Sequence, residues 1–502
     1  MGHDVRVSDP VVHPAEHDPV VAAAAERVGG PVGRRRGGLS GYWTPLRVLV
    51  GLTAIAYSIG FLTKMPCVLE SFGGDAAYTR LCYSDIPPLY QLRGFADGWL
   101  PYLQTGAGQG PALEYPVLTG FFMQIAAWIT GLAEGGARTM FFFAVNAVML
   151  FACLVVTVVC TALVVRRRPW DAAFVALAPA LILTAFINWD LFAVALTAGS
   201  MLAWSRRRVG WSGVLLGLAI AAKFYPLLLL GPLLVLCLRA GRMRSYGVLL
   251  GSTALTWLAV NLPVYLVNPV GWAQFYTFSA ERSVSWGSIW YALRAMKLGV
   301  PEESVNVVAT GLLLALCVAI AVLILKAPQR PRYAQVAFLV VAAFCLTNKV
   351  YSPQFVIWLV PLAALARPRW RDFLIWQAGE LVHFTATWWF LHSYGNDNKG
   401  LPEGWYVAAI LVHVAATAFF AGMIVRDILR PEHDPIRSDG VPEHRDDPGG
   451  GVLDGAPDVV GGRRRAPAEE QSPALVGAGA PTGPEDDDGG AGPQADTPDG
   501  WR

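Results

Sequence analysis

Charge is what this sequence has least of. Of its 502 residues only 15% are Asp, Glu, Lys or Arg, against 54% hydrophobic, where a soluble domain carries about a quarter charged. That shortage excludes an ordinary water-soluble enzyme. Cysteine is sparse as well: there are seven, none at metal-type spacing with histidine, so no zinc scaffold is expected. A Gly-rich phosphate loop is missing, and ahead of the acidic run Asp486–Asp488 in the tail there is no Asp-x-Asp motif, which leaves the apolar part of the chain with nothing built to hold a nucleotide. No convincing internal repeat relates one half of the chain to the other.

What the sequence has instead is apolar runs. They recur from Leu46 to Val425 at roughly 17–25 residues each, the length that crosses a bilayer. The net charge of +2 conceals how the cations are placed. Arg34–Arg36, Arg166–Arg168, Arg206–Arg208, Arg239/Arg242/Arg244, Lys326/Arg330/Arg332, Arg367/Arg369/Arg371 and Arg426/Arg430 all abut apolar runs. Short basic loops stay on the cytoplasmic side, and such runs beside spans do not call for nucleic acid. Assigning them inside predicts an all-α polytopic protein of about twelve transmembrane helices with both termini cytoplasmic. Residues 1–43 and 431–502, rich in Pro, Gly and charge, are expected to be disordered cytoplasmic segments around a membrane domain at 44–430. The segment 115–133 is apolar enough to span, but counting it puts Arg166–Arg168 outside; it is expected to lie on, or dip into, the outer leaflet. Residues 64–138 then form one long first extracytoplasmic loop carrying interfacial helices, and Cys67 and Cys82 are its disulfide candidates.

Under that topology the unusual polar residues collect on one side. The first loop supplies Asp75, Asp85, Arg93, Asp97 and Glu114; hairpin tips supply Asn188, Asp190 and Lys223; later outer segments supply Arg282, Lys349 and Tyr351. In "CYSDIPPLYQLRG" (82–94), Asp85 is followed by a stiffening Pro-Pro pair and flanked by Tyr83 and Tyr90, which suit the membrane interface. Isolated cations at membrane depth must pair or face a water-filled cavity, and Arg282, Lys223 and Lys349 suit a phosphate. Glu380 and His383 share a helix face near mid-membrane; they read as an interior hydrogen-bonded pair, and no metal site is expected. The aromatic run "TATWWFLH" (385–392) reads as interfacial packing.

A carboxylate at the outer surface beside phosphate-holding cations suits transfer of a sugar from a polyprenyl phosphate. The carboxylate takes the proton of an acceptor hydroxyl as it attacks the anomeric carbon, and the cations stabilise the departing phosphate. Because nucleotide sugars are cytoplasmic, an outward-facing transferase needs a lipid-linked donor. The competing expectation is a multispanning transporter or lipid flippase, which the long acid-bearing first loop and the missing repeat disfavour.

"SDIPPLYQLRGFADGWLPY" (84–102), "EYPVLTG" (114–120), "NWDLFAVAL" (188–196), "GLAIAAKFYPLLLLGPLL" (217–234), "ERSVSWGSIW" (281–290) and "NKVYSPQF" (348–355) resemble, in order and spacing, glycosyltransferase family 87. The resemblance covers roughly residues 44–430. It implies the C-type glycosyltransferase fold and, as in actinobacterial members, a polyprenyl-phosphate-mannose-dependent α-mannosyltransferase: inverting, metal-independent and without a cofactor. On that reading Asp85 is the general base with Asp75 in reserve, and Arg282, Lys223 and Lys349 bind the donor phosphate. Tyr90, Tyr102, Glu114, Asp190 and Tyr351 are candidate substrate-binding residues. The implied partners are the polyprenyl-phosphate sugar donor, a lipid-linked glycan or polysaccharide acceptor and the bilayer of the cell membrane, with the active site on the extracytoplasmic side. The "DIPPLY" stretch, with two prolines, departs from the family's simpler Asp-to-Tyr run.

Overall fold

Helices begin and end in this chain where its local chemistry says they should. Thr44 caps the first long helix, Pro45–Leu62, by accepting from the Arg47 N–H, and Pro45 supplies a preset φ at its start. Glu302–Lys326 carries Glu302 and Glu303 in its first turn and Lys326 in its last, matching the helix dipole at both ends. The computed structural model describes residues 11–33, 42–104, 113–133, 137–394 and 399–460, and among these it is helical, with no strand.

Among the described residues, five helices are long and apolar enough to cross a membrane: Pro45–Leu62, Arg138–Val164, Met243–Val267, Glu302–Lys326 and Glu403–Leu429. The chain is an integral membrane protein. Several shorter apolar helices lie among them, and two of these, Tyr333–Thr347 and Val356–Ala366, bury nearly every side chain and form the centre of the core. Small residues allow close approach at the periphery. A Cβ on Gly213 or Gly217 meets the carbonyl oxygens of Leu249 and Thr253 at 2.5 and 2.6 Å, so only glycine lets Val209–Ala222 lie this tightly on Met243–Val267. The expected span at about 170–187 is instead three short helical pieces, Pro169–Ala172, Ala173–Ala176 and Pro179–Thr184. Val117–Gly131, at 15 residues, is about 22 Å long by helical rise and falls short of a roughly 30 Å hydrocarbon core. One of its faces is buried and the other, with Phe121, Ile125 and Trp128, is exposed.

The first loop is tied down rather than loose. Cys67 and Cys82 are joined by a disulfide, and short helices at Met65–Leu69, Ala76–Thr79 and Ile86–Leu92 follow one another across it.

Both flanking segments need correction. In the first, helices Pro14–His17 and Pro19–Gly33 are present, and Asp18 accepts from the Trp370 backbone N–H at 2.9 Å. In the second, residues 431–460 are ordered where disorder was expected. Their acids meet the arginines that the topology placed inside: Asp434 bonds Arg332 at 2.7 Å, Asp439 bonds Arg168 at 2.8 Å, and Asp458 bonds both Arg239 and Arg330 at 2.7 Å. The segment's polar composition pointed to disorder, but these ion pairs, with Ile436 and Leu453 buried in the main core, hold it in place. The remainder of both segments, 1–10, 34–41 and 461–502, lies outside the described residues.

Candidate functional site

Two prolines after Asp85 start the helix Ile86–Leu92, in whose first turn an N–H has no partner to lose. Asp85 stands at its N-cap yet makes no side-chain cap bond, so its carboxylate is available elsewhere. The backbone is fixed from the hairpin tip: Asp85 N donates to Ile187 O at 2.8 Å, and the neighbouring Ser84 hydroxyl donates to Phe186 O at 2.6 Å. Tyr83 donates its hydroxyl hydrogen to Asp85 Oδ1 at 2.7 Å. Burial pushes the Asp85 carboxyl up to about 6, against the opposing effects of the Tyr83 hydrogen bond and the Lys223 charge.

Asp85 opens onto a cavity of about 650 Å³. Its wall also carries Glu114, Asn188, Lys223, Arg282 and Lys349, with aromatic panels from Tyr83, Tyr115 and Trp388. The cations reach it from separate elements. Lys223 is the C-cap of Val209–Ala222, where the helix dipole favours a positive charge. Its partner Asp190, 2.7 Å away, begins the helix Asp190–Ser205, where the dipole favours a negative one. Asp190 also accepts from Trp358 Nε1 at 3.0 Å. Lys349 follows Tyr333–Thr347 and donates to Ala280 O at 2.8 Å. Arg282 ends the helix Pro269–Glu281 and lies over the Phe278 ring, 5.5 Å from its centroid. Among the described residues, neither Arg282 nor Lys349 has a carboxylate within 4.0 Å. Burial, with Arg282 nearby, holds the Lys349 ammonium below its ordinary value, and burial lowers Arg282 too. Two like charges with no acidic partner on a cavity wall make a site for an anion.

The remaining predicted residues separate. Asp75 is exposed and does not line the cavity. Glu114 lines it but is engaged by Arg93 through two bonds of 2.7 Å. Tyr90 stacks on Phe142 in the core. Tyr102 donates its hydroxyl hydrogen to Pro116 O at 2.8 Å, anchoring the start of Val117–Gly131. Tyr351 is buried and bonds Glu380 at 3.2 Å. Sequence reasoning passed over Lys64, fully buried, which donates to Tyr83 O at 3.1 Å and is lowered by burial to about 7. It also read the 385–392 run as packing alone. In the structure Trp388 of that run stacks on Tyr83, ring centres 4.4 Å apart, and forms part of the cavity wall.

A second hollow of about 480 Å³ adjoins the first. It is lined by apolar residues with Thr253, lies between Val209–Ala222 and Met243–Val267, and shares Phe224 and Tyr276 with the polar cavity.

Residues 113–347 match glycosyltransferase family 87. The matched stretch contains Glu114, Asp190, Lys223 and Arg282 and stops short of Lys349; Asp85 lies ahead of it. No curated protein matches the chain. A solved structure, ArnT from Cupriavidus metallidurans bound to undecaprenyl phosphate, aligns with 15% identity and a TM-score of 0.40, covering 76% of this chain and 77% of that one.

Proposed function

We propose that this protein is a membrane glycosyltransferase of the C-type fold that takes a sugar from a polyprenyl-phosphate donor. The observation that carries the reading is the one cavity lined by Asp85, Arg282 and Lys349, the two cations having no acidic partner within 4.0 Å among the described residues. Support comes from the family match over residues 113–347 and from the apolar hollow joined to that cavity through Phe224 and Tyr276. A donor whose phosphate meets the cations then has an apolar path for its prenyl chain.

In the step we propose, Asp85 takes the proton from an acceptor hydroxyl as its oxygen attacks the anomeric carbon. The bond from that carbon to the phosphate oxygen breaks, its electron pair leaves with the phosphate, and configuration inverts. Arg282 and Lys349, with Lys223 beside them, stabilise the charge gathering on the leaving group. Mannose is the sugar and an extracytoplasmic glycolipid or polysaccharide the acceptor on this reading, as the resemblance to family 87 implies, with the cavity on the extracytoplasmic side. Purified protein given polyprenyl-phosphomannose and lipid acceptors should transfer mannose. Full transfer by Asp85→Asn overturns the role given to Asp85, and donor flipping in vesicles without transfer overturns the enzyme reading.

A further inference from the structure

Behind the cavity wall, where the helices Trp370–Tyr394 and Glu403–Leu429 lie side by side, three groups with metal-binding chemistry come together. Glu380, His383 and His413 each present one ligand atom within 4.8 Å of the others. Their exposures are 2%, 0% and 0%. We propose that these residues bind a divalent metal ion of the zinc class, which fastens the two helices to each other and to the back of the cavity.

The first argument is what the buried groups lack. Among the described residues, neither ring nitrogen of His383 has a hydrogen-bond partner, and neither does His413 Nδ1. An unmet buried polar group costs about 1–3 kcal/mol, and a neutral imidazole lone pair is what a metal takes. The sequence suggested that Glu380 and His383 would bond each other. They do not: the imidazole at Glu380 is His413, with Nδ1 3.6 Å from Oε2.

The second argument is charge. Glu380 is a buried carboxylate whose ion pairs, among the described residues, are confined to that one histidine. Its Oε1 accepts from Trp376 Nε1 and Thr417 Oγ1 at 3.0 Å and from the Tyr351 hydroxyl at 3.2 Å. Those donors fix the carboxylate and leave Oε2 directed at the histidines, as outer hydrogen bonds do around metal ligands. A carboxylate at this depth requires a compensating cation.

Two imidazoles and one carboxylate are a donor set that suits zinc. The two rings are stacked, centroids 3.8 Å apart and 7° from parallel. Their lone pairs lie in the ring planes, so coordination splays the stack and draws each nitrogen to about 2.0–2.1 Å from the ion. Glu380, His383 and His413 do not themselves line the cavity, so the role of the ion is positioning. His413 Nε2 lies 3.3 Å from Gly287 O, and a Cβ on Gly287 would stand 2.8 Å from His383 Nε2 and would collide with Tyr351 O. Gly287 lines the cavity, so the cluster directly backs the wall that also bears Lys349.

The test is metal content, which is independent of whether the protein transfers sugar. The full-length protein in detergent is loaded with zinc, dialysed against metal-free buffer and analysed by plasma mass spectrometry. We expect one retained zinc per chain, lost in His383→Ala and His413→Ala. Thr417→Val, which removes one donor to Glu380, should weaken retention about 10- to 100-fold. Cobalt(II) in place of zinc should give the visible absorption of a low-coordinate site in the wild type, a signature that needs no variant to fold. A folded wild type that retains no zinc and shows no cobalt band, or that retains no more than folded His383→Ala, overturns the proposal.

Discussion

Tyr83 gives its hydroxyl hydrogen to Asp85 Oδ1 at 2.7 Å, and the same ring stacks on Trp388. The carboxylate is therefore aimed by a side chain that the opposite wall holds in place. If Asp85 is the base, Asp85→Asn keeps the size of the side chain and its contact with Tyr83 while removing the proton acceptor. Transfer should fall by about 10²–10⁴-fold, the usual contribution of a positioned base, with little change in thermal unfolding. The measurement is initial rate at saturating donor, with a melting curve on the same preparation.

The acid limb of the pH profile follows from the same carboxyl. Burial pushes Asp85 up to about 6, and only the deprotonated form accepts a proton. Transfer should thus be fully active above that value and decline as pH falls through about 6. The Tyr83 hydrogen bond opposes the effect of burial, so Tyr83→Phe should move the limb to higher pH. A limb unmoved by Tyr83→Phe, or set by another group in Asp85→Glu, counts against Asp85 as the base.

Arg282 and Lys349 line the cavity without a carboxylate partner among the described residues, so removing either leaves no buried acid exposed to solvent or stranded. Arg282→Ala and Lys349→Met should each weaken donor binding without unfolding the protein. A hydrogen bond to a charged group contributes about 1.5–3 kcal/mol, so KM for the donor should rise by roughly ten- to a hundredfold. Competition by inorganic phosphate should weaken in parallel, which separates lost phosphate contact from general damage. Unchanged KM in both variants would place the leaving group elsewhere.

Much of this was legible because polarity in a membrane chain is rare and therefore informative. Lys223 could be placed from "AKFYP" alone: an apolar helix, a cation, then a proline that cannot continue it. The gathering of Asp85, Lys223, Arg282 and Lys349 followed from tracking arginines across successive apolar runs. What stayed hidden depended on register between distant helices. His413 faces Glu380 and His383 only because two antiparallel helices meet at one particular rotation, which no local pattern encodes. Tyr90 and Tyr102 resembled substrate contacts, but their rings are consumed in packing and in a bond to Pro116 O. The same holds for residues 431–460: their few apolar residues gave no periodic signal, while their order comes from acids matched to arginines more than a hundred residues earlier and from Ile436 and Leu453 reaching the core.

That segment yields a final expectation. Arg332 and Asp434 are both essentially buried, at 1% and 0% exposure, with bonds of 2.7 and 3.0 Å between them. Arg332 also donates to the carbonyls of Leu365 and Ala366, closing the end of Val356–Ala366. Burial alone raises the Asp434 carboxyl, but Arg332 and Arg437 outweigh it and hold the carboxyl below its ordinary value. A lowered carboxyl contributes stability above its unfolded value, near pH 4, and loses it only as pH falls through the lower folded value. Asp434→Ala leaves the Arg332 charge buried with carbonyls alone and should cost about 3–5 kcal/mol. The double variant Arg332→Met, Asp434→Leu, which removes both charges, should recover much of that loss. Unfolding measured in detergent for Arg332→Met, for Asp434→Leu and for the double gives the coupling directly. Additive losses would mean that the pair does not hold residues 431–460 in place.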